Sequence, residues 1–121
     1  MITARSCLHL RSTVVTAGVQ KELWFALGVL APLFVIFAHR AATVTSLAEG
    51  DHLGFAAEVD TTGLTGLQRR SILQVALTVL DPLGFNIEDH DSDQHGRHLR
   101  IHYAPRPGHT FPEPTNREHV T

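Results

Sequence analysis

Nine of the 121 residues are histidine, and six of these fall between positions 90 and 119. Imidazole titrates near neutral pH and is the commonest nitrogen ligand for transition metals, so the spacing of these residues is the first place to look for chemistry. Phe85, Ile87 and Asp89 alternate with Asn86, Glu88 and His90, while Leu99, Ile101 and Tyr103 alternate with His98, Arg100 and His102. Both stretches have the period of a half-buried strand. Paired as an antiparallel hairpin with Phe85 opposite Tyr103 and Ile87 opposite Ile101, they bury four apolar side chains on one face. The same register sets Glu88 across from Arg100 and His90 across from His98. The polar segment 91–97 between them adds Asp91, Asp93 and His95. His90, His95 and His98, with Asp91 and Asp93, form a candidate site for zinc, copper or nickel through nitrogen and oxygen ligands. His102 stands outside this set, because four strand residues separate it from His98 by about 13 Å. Without a ligand, the same residues are the wet face of a sheet, and no HExxH spacing argues otherwise. Seven histidines after residue 49 also make a pH response of that region an expectation.

Other chemistries find less support. The lone Cys7 excludes an internal disulfide framework and any zinc site built on two thiolates. Ser71 has no histidine base at an arguable spacing, so no nucleophile and base pair emerges. Gly63, Gly66 and Gly84 read as turn and cap glycines, not as a phosphate loop. Asp89, Asp91 and Asp93 alternate like part of a calcium loop but lack its glycine and distal glutamate. Arg69-Arg70 is a pair within an acidic region, which disfavours nucleic acid as a partner. The expectation is a non-enzyme with no catalytic residues and no cofactor beyond the candidate metal.

The elements that position these residues begin with the run Leu23 to Ala38, sixteen residues without a charge. It is bounded by Lys21-Glu22 and His39-Arg40, and as a helix Lys21 to Arg40 covers about 28 Å. That is close to the roughly 30 Å hydrocarbon core of a bilayer. Residues 22–40 are therefore expected to be a single-pass transmembrane anchor, with Leu23, Trp24, Phe25, Leu27, Leu30, Leu33, Phe34, Ile36 and Phe37 facing lipid. A buried core helix and a signal peptide cleaved after Ser46-Leu47-Ala48 are the competing readings, the latter leaving a small secreted domain. Arg5, Arg11 and Lys21 precede the run, and Arg40 alone follows closely. This bias keeps the basic tail 1–21 in the cytoplasm, or in a mitochondrial matrix, and the carboxyl-terminal region on the periplasmic or outer side. The acid-free first 21 residues also have the composition of a mitochondrial presequence.

Residues 41–51 read as a linker. Leu53, Phe55, Ala57 and Val59 then alternate as a strand, and Thr65 with Gln68 forms a capping box for a helix reaching Leu80. Asp81-Pro82-Leu83-Gly84 matches a turn into the hairpin. The fold class is thus α+β: a transmembrane helix, a small β-α-β-β domain over 52–104, and an extended proline-rich tail over 105–121. This strand, helix and Gly-bearing hairpin order resembles the small β-α-β-β modules in periplasmic parts of secretion and outer-membrane receptor proteins. The resemblance implies a fold and no residue roles. Leu73, Leu77, Leu80 and Phe111 are candidate interface residues, because a domain this small leaves apolar surface for a partner to cover. The functional expectation is a non-catalytic accessory subunit that docks onto a larger membrane complex. The alternative is a membrane-tethered, histidine-rich metal-binding or metal-sensing protein.

Overall fold

The computed structural model describes residues 8–12, 14, 16, 18–19, 21–50, 54–92 and 96–104. They form strand β1 (Leu8–Leu10), helix α1 (Lys21–Ala38), strands β2 (Ala42–Gly50) and β3 (Gly54–Asp60), helix α2 (Gly66–Leu80), and strands β4 (Phe85–Ser92) and β5 (Gly96–Tyr103). The five strands make one sheet in the order β1-β2-β3-β5-β4. β1 runs parallel to β2, and every other neighbouring pair is antiparallel. Both helices contribute to a single apolar core with the sheet. The fold is thus mixed α+β, and among the described residues the helices cover one face of the sheet and leave the other open.

Local chemistry sets most of the boundaries. Gln68 N–H donates to Thr65 Oγ1 at 3.1 Å while Thr65 N–H donates to Gln68 Oε1 at 2.9 Å, so the expected capping box opens α2. A 3-10 turn over Asp81–Leu83 closes it, with Pro82 early in the turn and Gly84 at φ +100°, a conformation glycine adopts without steric cost. The hairpin has the expected register, Phe85↔Tyr103, Ile87↔Ile101, Glu88↔Arg100 and His90↔His98. Its strands run on to Ser92 and resume at Gly96, so most of the segment expected as loop is paired strand.

The amino-terminal third departs from expectation. Residues 42–50, expected as a linker, are strand β2, and the basic tail contributes β1 beside it. β2 escapes a simple alternation test because its register shifts between Val44 and Ser46. Ala42 and Val44 are buried, and after the shift the inward position falls to Leu47. One extra residue in a strand changes which parity faces the core. Thr45, at the irregularity, donates from Oγ1 to the Glu58 carbonyl at 3.3 Å.

α1 is long and apolar enough to cross a membrane by length and composition, but a third of it is buried within the fold. Leu23, Ala26, Leu27, Leu30, Ala31 and Phe34 are fully buried at the spacing of one helical face. Of the residues expected to face lipid, Leu23, Leu27, Leu30 and Phe34 therefore face protein. Trp24, Leu33 and Phe37 are half-buried against the core, and Phe25 and Ile36 are exposed. At the end of α1, His39 takes a left-handed conformation at φ +57° and turns the chain into β2. Arg40 then donates from Nη1 to the Thr62 carbonyl at 2.8 Å and from Nη2 to the Asp60 carbonyl at 3.0 Å. Arg40, at the end of the apolar run, thus ties α1 to the loop before α2. Cleavage after Ala48 would cut within β2 and remove β1 and α1 from the core. The tail 105–121, with Phe111, and Cys7 lie outside the described residues.

Candidate functional site: the open face of the sheet

Side chains pointing away from the helices form a small grid. β3 supplies Asp60, Glu58 and Ala56, β5 supplies His98, Arg100 and His102, and β4 supplies His90, Glu88 and Asn86. The register reads across as Asp60, His98, His90, then Glu58, Arg100, Glu88, then Ala56, His102, Asn86. His98 and His102 are buried even on this open face, because they lie on β5 with a strand on each side. Arg100 between them is exposed.

The His90 and His98 rings lie parallel, with centroids 5.5 Å apart and planes within 8°. His98 Nδ1 is 3.1 Å from the Gly96 carbonyl oxygen. A carbonyl only accepts, so Nδ1 carries the proton and donates. His98 Nε2 stands 3.7 Å from Glu58 Oε2. His90 Nε2 lies 2.9 Å from Glu88 Oε1 and donates to that carboxylate. This hydrogen bond is the main reason the Glu88 carboxyl is held below its ordinary range; desolvation opposes it, and the charges of His90, His102 and Arg100 add to it. Asn86 Nδ2–H donates to His102 Nε2 at 3.4 Å.

The expected metal set is only partly assembled. His90 and His98 meet as expected, and His102 occupies a separate row of the grid. Asp91 is removed by strand parity, and its carboxylate pairs with Arg97 Nη2 at 2.8 Å. Asp93 and His95 lie outside the described residues. Among the described residues no group of three His, Cys, Asp or Glu side chains is arranged to hold a metal ion. Sequence reasoning missed Glu58 as a neighbour of His98, since nothing local places β3 against β5. Its position opposite Arg100 follows only from the sheet order.

The candidate interface residues divide as well. Leu80 is fully buried, so it belongs to the core; Leu73 and Leu77 are half-buried and packed against it. The exposed large apolar side chains lie elsewhere on the same layer, at Phe25 and Ile36 of α1 and Leu67, Val75 and Val79 of α2. Periodicity in α2 was the available signal, because Val75 and Val79 are one turn apart and off the Ile72, Ala76, Leu80 face. No family model, curated protein or solved structure matches this chain.

Proposed function

We propose that the protein is a non-catalytic accessory subunit that docks onto a larger membrane protein complex through its helical layer. One observation carries this reading. All five large apolar side chains exposed among the described residues belong to α1 and α2, and none to the sheet. Ile36 is 62 % exposed and Leu67 69 %, a degree of solvent contact that an interaction surface relieves. The apolar character of α1 supports a membrane setting, since the helix is uncharged from Leu23 onwards on both its inner and outer faces. Docking by the outward face keeps α1 on the sheet. Crossing the bilayer alone would expose Val44, Val59, Leu99 and Ile101, which are fully buried beneath the helical layer.

The test is extraction of membranes from cells making the full chain with a carboxyl-terminal tag, together with an Ile36→Lys/Val79→Lys variant. Docking predicts release by alkaline carbonate, co-elution with larger subunits in gentle detergent, and loss of both associations in the variant. Resistance to carbonate would instead indicate a spanning helix, whose orientation protease protection of the tag would report. A lone soluble monomer from the unmodified chain would overturn the proposal.

A further inference from the structure

Away from the helical layer, β4 stands last in the strand order, so β5 is its only strand neighbour among the described residues. Two hydrogen bonds show which of its backbone groups face outward. The Ala104 N–H donates to the Gly84 carbonyl at 2.7 Å, in register with the hairpin, and the Thr61 N–H donates to the Arg97 carbonyl at 2.9 Å, in register with β3 and β5. Antiparallel neighbours alternate between positions that exchange hydrogen bonds and positions that do not. Asn86, Glu88 and His90 therefore bond across to His102, Arg100 and His98, while the N–H and C=O groups of Ile87, Asp89 and Asp91 point away from β5. From Ile87 to Asp91 these groups line about 14 Å of edge, a template to which another extended segment can add.

Charge says what kind of segment fits. β4 carries Glu88, Asp89 and Asp91 and no Lys or Arg. The cations near them stand one layer inward: Arg100 and Arg97 on β5, with Arg97 Nη2 2.8 Å from Asp91 Oδ2, and Arg69 on α2, with Nε 3.6 Å from Asp89 Oδ2. A segment approaching from outside therefore meets carboxylates first. The Asp91 side chain is 62 % exposed and that of Glu88 50 %, and a carboxylate engaged through one oxygen still accepts through the other. A second copy pairing antiparallel about Glu88 or Asp89 would set that carboxylate against itself, and like charges directly opposite are destabilising. We infer that the β4 edge adds an extended basic segment of a different protein, running antiparallel to 87–91. Lys or Arg lies opposite Glu88 on the open face and opposite Asp89 and Asp91 on the other, with an apolar residue opposite Ile87. Main-chain hydrogen bonds supply affinity, and the alternating side chains supply specificity.

The probe is a capped peptide, Thr-Lys-Thr-Arg-Lys-Val-Thr, whose antiparallel register sets Lys, Thr, Arg, Lys and Val opposite Asp91, His90, Asp89, Glu88 and Ile87. It is titrated into the full-length protein, with calorimetry following uptake and nuclear magnetic resonance following backbone amide exchange. The expected result is saturable one-to-one binding below about 1 mM. At saturation, exchange of the Ile87, Asp89 and Asp91 amides should slow by about tenfold or more. The Glu88→Gln/Asp91→Asn variant, altered only at exposed side chains, should bind about fivefold more weakly or worse. A peptide N-methylated at Arg and Val, which cannot donate to the edge, should not bind. Binding that survives N-methylation, or that leaves the three amides unprotected, would be charge attraction without strand addition and would overturn the inference. So would the absence of saturable binding in that range. A dimer of the unliganded protein with the same three amides already protected would also overturn it, by giving the edge to a second copy.

Discussion

The two faces of this small protein solve the problem of covering a sheet in opposite ways. The helical face is rich in apolar residues: one side of each helix is buried in the core, and among the described residues Phe25, Ile36, Leu67, Val75 and Val79 stay exposed. Among the described residues the open face has no second layer, and its cross-strand neighbours are imidazoles, carboxylates, an amide and a guanidinium. Burial on the first face is hydrophobic and non-directional, so it stabilises in proportion to area. Contacts on the second are directional and half-solvated, and each contributes little to stability. The helical face therefore carries the fold, while the open face is free to carry chemistry.

The largest expected effect comes from breaking the inner side of the helical face. Leu30→Ala removes a fully buried side chain from the centre of α1 and should cost about 2–5 kcal/mol in denaturant unfolding. A cost below about 1 kcal/mol would show that α1 is not part of the folded core. Arg40→Ala comes next. It leaves the Asp60 and Thr62 carbonyls without their guanidinium donor and loosens the α1 to α2 corner, for about 1–3 kcal/mol by the same measurement.

Thr61 sharpens the contrast in the opposite direction. Its hydroxyl is buried without a hydrogen-bond partner among the described residues, at the end of β3. Thr61→Val should raise the unfolding midpoint, with a gain on the order of 1 kcal/mol. A loss would reveal a partner for the hydroxyl. On the open face, Arg100→Ala should stay within about 0.5 kcal/mol of the parent, as expected of an exposed side chain away from caps and core.

The smallest effect concerns pH. The carboxyl of Glu88 is held below its unfolded range by His90, so the folded state favours the ionised form. Its contribution is complete above the unfolded carboxylate range and is lost as pH falls through the lowered folded one. Glu88→Gln should therefore flatten the acid limb of a stability profile slightly and leave the neutral region unchanged. A change confined to the alkaline side would contradict the His90 contact.

The candidate site was legible to the extent that it is local. Alternation in 85–90 and 98–103 places His90 opposite His98 because hairpin register follows from matching apolar faces across a short connection. Glu58 was not legible, because β3 reaches β5 only after α2 and β4 have intervened in the chain. Asp91 was misplaced for a related reason. Once the strands extend to Ser92, parity turns its side chain from the His90 row, whereas a loop would have left it free to join.

The sequence by itself determined the α2 cap, the turn through Gly84, the hairpin and the excess of apolar residues in α1. Each depends on interactions within a few residues, or on composition alone. Only the tertiary structure decided where α1 goes. A run without a polar residue has no stripe to mark which side faces in, so bilayer and sheet are equally suitable apolar surroundings for it. One side of α1 packs on α2 and on the sheet; β1 and β2 widen that sheet to five strands, and β2 is hidden from alternation by its own irregularity at Thr45. Long-range pairing, which no local pattern encodes, makes the expected linker a strand and sets one side of a membrane-length helix against the sheet.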